Sequence, residues 1–361
     1  MNANGKIDIK ALTLPELKAE MELIGEKPFR AGQIYRWLHQ KNNGISSFSQ
    51  MTDISAALAA KLEERYYINR LTIRRKLVSK IDGTTKYLFG LPDGNSVETV
   101  VMRYKYGISL CISTQVGCKM GCKFCASTLA GWVRNLSVSE MLDEIYMAQE
   151  DTGEKIASLV LMGIGEPLDN YDNVIKFLGI LSSPEGQNLS LRHVSLSTCG
   201  LVDKIYDLMK LKLGLTLSIS LHAPNDEIRS QTMPISKRYD IDTLLKACRD
   251  YFNYTGRRIS FEYALIAGVN DTPECAKELC QKLKGMPCHV NLIPVNPVKE
   301  RGYKRGTKEN ILRFQNMLLK MGVNATVRRE LGSDINAACG QLRRETEAAE
   351  KEPSERGESE C

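Results

Sequence analysis

From residue 108 onward, short apolar runs alternate with amphipathic helical stretches, and this alternation leaves few folds open. The strand-like runs are 108–114, 157–165, 193–199, 216–222, 258–266 and 289–294. Between them, Ser137-Val-Ser-Glu140 and Asp271-Thr-Pro-Glu274 carry the capping-box pattern that opens a helix. A strand followed by a right-handed helical crossover, repeated, builds a parallel sheet with helices outside it. Six such units predict an α/β protein with a partial (β/α)6 TIM-like barrel over residues 107–341, and 325–329 reads as one more strand.

The flanks differ in texture. Residues 1–68 read as a helical accessory domain, with a capping box at Thr13-Leu-Pro-Glu16. Phe29, Ile34, Tyr35, Trp37 and Leu38 are expected on its apolar face, and Lys27, Arg30, Arg36, His39, Gln40 and Lys41 on the polar one. A basic face suits RNA contact and equally suits an ordinary solvated helix. Residues 69–106 read as a small β extension, with strands at 71–74, 85–89 and 96–102 and turns at Asp82-Gly83 and Asp93-Gly94. Residues 342–361 are charged and almost free of large apolar groups, so a disordered tail is expected.

In βα barrels, chemistry collects at the C-terminal ends of the strands. The unusual residues of this chain fall there. Cys118, Cys122 and Cys125 follow the first strand with C-x3-C-x2-C spacing, among Gly117 and Gly121. A closed zinc site or an ordinary four-iron cluster takes four protein ligands. Three thiolates on a [4Fe–4S] cube leave one iron open to a small molecule. Zinc completed by a fourth ligand such as Cys111 is the competing reading. Gly163-Ile-Gly165-Glu166-Pro167 ends the second strand, where glycines permit close backbone approach and Glu166 either accepts from a ligand ammonium or caps the turn. Ser197, Ser220, His222 and Asn296 lie at further strand ends, as ligand contacts or satisfied core groups. Cys199, Cys248, Cys275, Cys280 and Cys288 read as small buried hydrophobes. For Cys111 and Cys339 the residues alone leave reactive and inert readings open.

Composition narrows the classes. No apolar run reaches the length of a membrane span, and the N-terminus lacks a signal-peptide core. A cytoplasmic location is expected, where eleven cysteines stay reduced and serve as ligands, catalysts or packing. The net charge of +6 permits nucleic-acid binding without requiring it.

Several stretches together resemble the dual-specificity 23S ribosomal RNA adenine-C2 methyltransferases of the radical S-adenosylmethionine (SAM) superfamily. They are Val97-Glu-Thr-Val100, Cys111-Ile-Ser-Thr-Gln-Val-Gly-Cys118, Cys122-Lys-Phe-Cys125, Gly163-Ile-Gly-Glu-Pro-Leu168, Ser218-Ile-Ser-Leu-His-Ala223, Met233-Pro-Ile235, Gly268-Val-Asn-Asp271, His289-Val-Asn-Leu292 and Ala338-Cys-Gly-Gln-Leu342. The resemblance implies a radical SAM partial barrel with an RNA-contacting N-terminal domain. It implies that Cys118, Cys122 and Cys125 hold one [4Fe–4S] cluster. Gly165, Glu166, Ser197, Ser220, Leu221, His222 and Asn296 would hold SAM, used twice per turnover. Cys339 would carry a methyl group, Cys111 would resolve the product through a transient Cys111–Cys339 disulfide, and Glu98 would accept a proton. A 5′-deoxyadenosyl radical would activate the S-methyl group. The implied substrates are adenosine 2503 of 23S rRNA, in the peptidyl transferase centre, and adenosine 37 of some tRNAs. An external, flavodoxin-like electron donor, a monomeric state and no membrane association complete the expectation. The rivals are a sister methyltransferase acting on adenine C8, which confers antibiotic resistance, and a non-catalytic RNA-binding iron–sulfur protein.

Overall fold

Ten strands hydrogen-bond into one sheet, and their order around it tracks the chain. The computed structural model describes residues 5–40, 44–296, 298, 300–335 and 342. Within these the strands are β1 (Thr72–Val78), β2 (Thr85–Gly90), β3 (Ser96–Tyr104), β4 (Gly107–Cys111), β5 (Ile156–Leu161), β6 (Val194–Thr198), β7 (Thr216–Ser220), β8 (Ile259–Leu265), β9 (Cys288–Pro294) and β10 (Ala325–Val327). Neighbours from β4 to β10 pair in parallel, and β1 to β4 pair antiparallel. The run at 325–329 therefore does contribute a seventh parallel strand, and the architecture is the α/β barrel expected.

The three strands of the β extension continue the barrel sheet, because β3 turns back at Gly107 and pairs along β4. Turn residues mark where a hairpin reverses but do not say which further edge it joins. The cysteine run also has its own scaffold. Gln115–Gly117 pairs with Trp132–Asn135, and the loop holding all three cysteines spans this short hairpin.

Helices α1 (Leu14–Leu23), α2 (Phe29–His39) and α3 (Ala56–Arg65) form the N-terminal unit. The box at Thr13 forms as expected: its side chain accepts from the Glu16 N–H while the Glu16 carboxylate accepts from the Thr13 N–H. Helix α4 (Val138–Thr152) starts at the Ser137/Glu140 box. On α5 (Pro273–Leu283) the cap is Thr272, not Asp271, whose carboxylate instead accepts from the Gly268 N–H at 2.8 Å.

Two residues of α2 depart from the expected faces. Phe29 is 57% exposed, with the Arg30 guanidinium over its ring, because it is the first helical residue and points off the packed stripe. His39 is fully buried, with its Nδ1 2.9 Å from the Tyr146 hydroxyl of α4. Burial holds its imidazole down at about 3, so the ring is neutral and belongs to the seam between the N-terminal unit and the barrel. That seam shares one continuous apolar core with the sheet, from Leu17, Ile34 and Trp37 through Leu142 and Ile145 to Leu159 and Leu196. Lys41 and residues 343–361, including the expected tail, lie outside the described residues. No described helix is long and apolar enough to cross a membrane.

A buried ion pair fastens the same seam. Lys10 Nζ lies 2.5 Å from Asp143 Oδ1 of α4, both side chains buried, and Asp143 Oδ2 accepts from the Leu71 N–H at 2.7 Å. Removing one partner leaves the other charge stranded away from water. Asp143→Ala is expected to cost about 3–5 kcal/mol of stability by urea unfolding, more than any exposed Asp→Ala change such as Asp242→Ala.

Candidate active site

The three-cysteine loop is wound tightly by its backbone. Gly117 has φ +76°, and a Cβ there would lie 1.9 Å from the Gly131 carbonyl oxygen, so no other residue fits this turn. The Cys118 N–H donates to Gly131, the Lys123 N–H donates to Thr232, and the Thr128 hydroxyl donates to the carbonyls of Cys122 and Cys125. Cys122 packs on Cys199 and Met233. Burial pushes the Cys118 thiol up to about 12 and the Cys122 thiol higher still, so the metal-free thiols are protonated and release protons on binding a metal.

Across the cavity from this loop, the strand ends supply polar groups. Gly163 passes so close to β4 that a Cβ would lie 2.5 Å from the Ile112 oxygen. The Glu166 N–H donates to Gln115 Oε1 at 2.8 Å. The Glu166 carboxylate is buried and accepts from the N–H groups of Leu168 at 3.0 Å and Cys199 at 2.7 Å. Burial raises its pKa, and those hydrogen bonds oppose the rise. Ser197 and Ser220 face each other with oxygens 3.4 Å apart. His222 has φ +58°, a left-handed conformation rare for a side-chain-bearing residue. Its Nδ1 accepts from the Ala264 N–H at 2.9 Å, so Nε2 carries the proton. Burial, reinforced by the nearby Arg229 charge, lowers it to about 3.

Cys118, Cys122, Cys125, Gly165, Glu166, Ser197, Ser220, His222 and Asn296 all line one cavity of about 280 Å³. Leu221 does not. Its side chain is in the main core, and its carbonyl accepts from Arg229. Cys111 opens onto a second cavity, with Val100, Met102 and Leu331, and is not a fourth ligand beside the other three. Among the described residues, no three His, Cys, Asp or Glu side chains converge as a single zinc ion requires. The donor set instead fits a cube of iron and sulfide. Three sulfur donors line the same cavity as a carboxylate, hydroxyls, an amide and an imidazole, a set suited to an amino-acid nucleoside. The two cavities adjoin, sharing Met162, Ile293, Asn296 and Arg328.

Glu98 is buried on β3, with its Oε2 3.1 Å from Lys86 Nζ. It shares the inner sheet face with Val100, which pairs with Cys111. Cys339 lies outside the described residues. The segment leading to it is pinned beside Cys111: the Gly332 N–H donates to Asp82, Asp334 accepts from the Ser79 hydroxyl and the Lys80 N–H, and Leu331 packs on the Cys111 cluster. Ile335 is four residues from Cys339, at most about 14 Å of extended chain.

Several site residues escaped the sequence reading. Gln115 links the Glu166 turn to Asn135 and Asp169. Glu262 lines the same cavity from β8 and accepts from Asn291 at 2.7 Å. Arg229, fully buried, donates to the carbonyls of Cys199, Ser220 and Leu221 and so ties two strand ends together. Period-two alternation through Ser260, Glu262 and Ala264 was the available signal for Glu262. A buried arginine leaves none.

A family model described as the radical SAM superfamily matches residues 112–283, and one described as the ribosomal RNA large subunit methyltransferase N-terminal domain matches 7–68. The chain is 56% identical, over 94% of its length and 95% of the relative's, to the "Probable dual-specificity RNA methyltransferase RlmN" of Lachnoclostridium phytofermentans. It is 58% identical to the protein of the same name from Alkaliphilus oremlandii, covering 94% and 98% of the two chains. A crystal structure of a radical SAM methyltransferase from Sphaerobacter thermophilus superposes with TM-score 0.88 at 41% identity, covering 93% of this chain and 98% of that one. An iron–sulfur, SAM-dependent radical enzyme is thus the class that fold and site define. Within it, the chain belongs to the RlmN-type RNA methyltransferases.

The neutral His222 carries a pH signature. Its folded value lies below the ordinary 6.5, so between the two the unfolded chain binds the extra proton. The stability it contributes is complete above pH 6.5 and is lost as pH falls toward 3, at about 1.4 kcal/mol per pH unit. His222→Asn keeps an acceptor and tolerates the positive φ. Unfolding at pH 7 and pH 5 is expected to show a loss about 2 kcal/mol smaller in the variant than in the parent.

Proposed function

We propose that this enzyme makes 2-methyladenosine at position 2503 of 23S rRNA and at position 37 of some tRNAs, with Cys339 as methyl carrier and Cys111 as resolving thiol. The observation that carries the reading is the junction of the two cavities. A chamber edged by three cysteines opens beside the pocket of Cys111, and the chain approaching Cys339 lines that pocket at Leu331 and is fastened just beyond it to the β1–β2 turn.

The chemistry calls for these parts. Adenine C2 is electron-poor and its C–H is not usefully acidic, so it cannot attack SAM as a nucleophile. A cluster held by Cys118, Cys122 and Cys125, with SAM, supplies a carbon radical able to take hydrogen from an unactivated methyl group. Glu166 accepts from the SAM ammonium, while Ser197, Ser220, Asn296 and the His222 Nε2–H contact its carboxylate, ribose and adenine. The Cys339 thiolate takes a methyl group by displacement from a first SAM. The activated methylene on its sulfur would then bond to C2, and the ring would regain its closed shell as Glu98 removes the C2 proton and the unpaired electron passes to a one-electron acceptor, a role the cluster would supply. Cys111 attacks the Cys339 sulfur, the sulfur–methylene bond breaks, and the leaving carbon takes a proton to become the methyl group of the freed base. The disulfide left behind is reduced before the next turnover. An external one-electron donor serves the cluster.

Nucleoside mass spectrometry of ribosomal and transfer RNA, from cells with and without this protein, tests the products. Loss of 2-methyladenosine from both RNAs is expected; 8-methyladenosine in its place overturns the C2 assignment. Cys339→Ala is expected to keep about four irons per chain and lose all methyl transfer. Cys111→Ala is expected to leave protein and RNA covalently joined on a denaturing gel, and free methylated product at the parent yield refutes the resolving role.

A further inference from the structure

Four residues form one rung across the inner face of the sheet. Register pairs Lys86 of β2 with Val100 of β3, Val100 with Cys111 of β4, and Cys111 with Val160 of β5. Paired residues of neighbouring strands share a face. Lys86 is therefore two strands, about 10 Å, from the resolving thiol, on the same face. Three members of this rung are apolar or sulfur-bearing, as a barrel interior prefers. The fourth is a lysine with no exposed surface.

Its Nζ lies 3.1 Å from Glu98 Oε2, and Glu98 is 2% exposed. A buried pair of this kind is poor value as pure architecture. Desolvating both ions offsets most of their attraction, and well-packed apolar residues of similar volume serve as well or better. Glu98 also stands one inner-face position beyond Val100, toward the rim where the strands β4 to β9 end. The Ser113 hydroxyl donates to its carbonyl at 2.8 Å and fixes the backbone there. Carboxylate, thiol and rim thus lie along one short path.

We infer that Lys86 is the positioning residue of the C2 deprotonation: its ammonium aims the Glu98 carboxylate and supplies the counter-charge that lets it be anionic away from water. This rests on the reading of Glu98 as proton acceptor. In the step concerned, the C2–H bond of the radical adduct breaks, the proton passes to a Glu98 oxygen, the C–H electron pair restores the ring, and the unpaired electron left by radical addition passes to a one-electron acceptor, a role the cluster would supply. Lys86 exchanges no proton and touches no substrate atom. Without it the carboxylate loses an orienting contact and a compensating charge.

The test uses the full-length, iron-reconstituted enzyme and RNA carrying hydrogen or deuterium at the target C2. Lys86→Met, Glu98→Gln and the double variant are compared for melting temperature, iron content, single-turnover product and covalent protein–RNA adduct. Lys86→Met and Glu98→Gln are each expected to slow product release by at least about 100-fold. Both should accumulate adduct and reveal a primary isotope effect at C2, with iron content unchanged. The double variant, which strands no charge, is expected to regain melting temperature but not turnover. Recovery of near-parent turnover in the double variant shows that the pair is only structural and overturns the proposal. So does Lys86→Met without adduct or isotope effect while Glu98→Gln shows both. If Glu98→Gln shows neither, the proton-acceptor reading itself falls, an outcome distinct from the other two.

Discussion

The antiparallel pairing of β3 with β4 is the constraint on which the active site turns. It joins a three-strand antiparallel ribbon to a parallel barrel and sets Val100 opposite Cys111. Because side chains alternate, this register brings Glu98, Val100, Met102 and Cys111 onto the inner face and buries Thr99 on the other side, where its hydroxyl donates to Glu144. A slip of one residue would turn Glu98 outward and leave the Cys111 pocket without its apolar wall. The Ser113–Glu98 hydrogen bond, the Ser113 N–H to Glu144 bond and the Asp82–Gly332 bond all presuppose that register.

Around this joint the protein keeps several charged groups out of water, each held by donors or acceptors of fixed geometry. Glu166 accepts two backbone N–H bonds, and Arg229 donates to three strand-end carbonyls. Such arrangements are rigid because releasing any one bond exposes a desolvated charge. The effect is to make the strand ends facing the cysteine loop one connected frame. Arg229 reaches from the Cys199 carbonyl to the helix that receives the Lys123 N–H, so the frame and the cysteine loop are braced against each other.

Much of this was legible in the chain. The βα rhythm, the capping boxes at Thr13 and Ser137, the hairpin turns and the cysteine spacing are local patterns set by residues within a few positions of each other. Their physics, helix caps and glycine turns, is equally local. The errors have a common origin. Helical periodicity puts Phe29 on the apolar face and His39 on the polar one, yet Phe29 stands exposed at the helix start, and what buries His39 is the docking of α2 on α4, more than 100 residues away in sequence. That the β extension continues the barrel sheet has no local signal, because nothing in its own residues names its barrel partner. Gln115, Arg229 and Lys86 are polar residues in apolar settings, and a pattern of hydrophobicity scores them as noise.

The sequence by itself determined the donors: three cysteines on one glycine-turned loop, with a glycine–glutamate turn on the next strand, specify three sulfur donors and a nearby carboxylate wherever that loop is placed. Membership of the family also follows from the chain alone. Only the tertiary structure decided that the Cys111 pocket abuts the cavity of the three cysteines, that the segment approaching Cys339 is tied to the β1–β2 turn, and that Lys86 faces Glu98 inside the sheet. The reason is distance along the chain. Cys111 and Cys339 are 228 positions apart, and no propensity acts over that span. What acts is strand register and the burial of charge, which exist only once the sheet has closed.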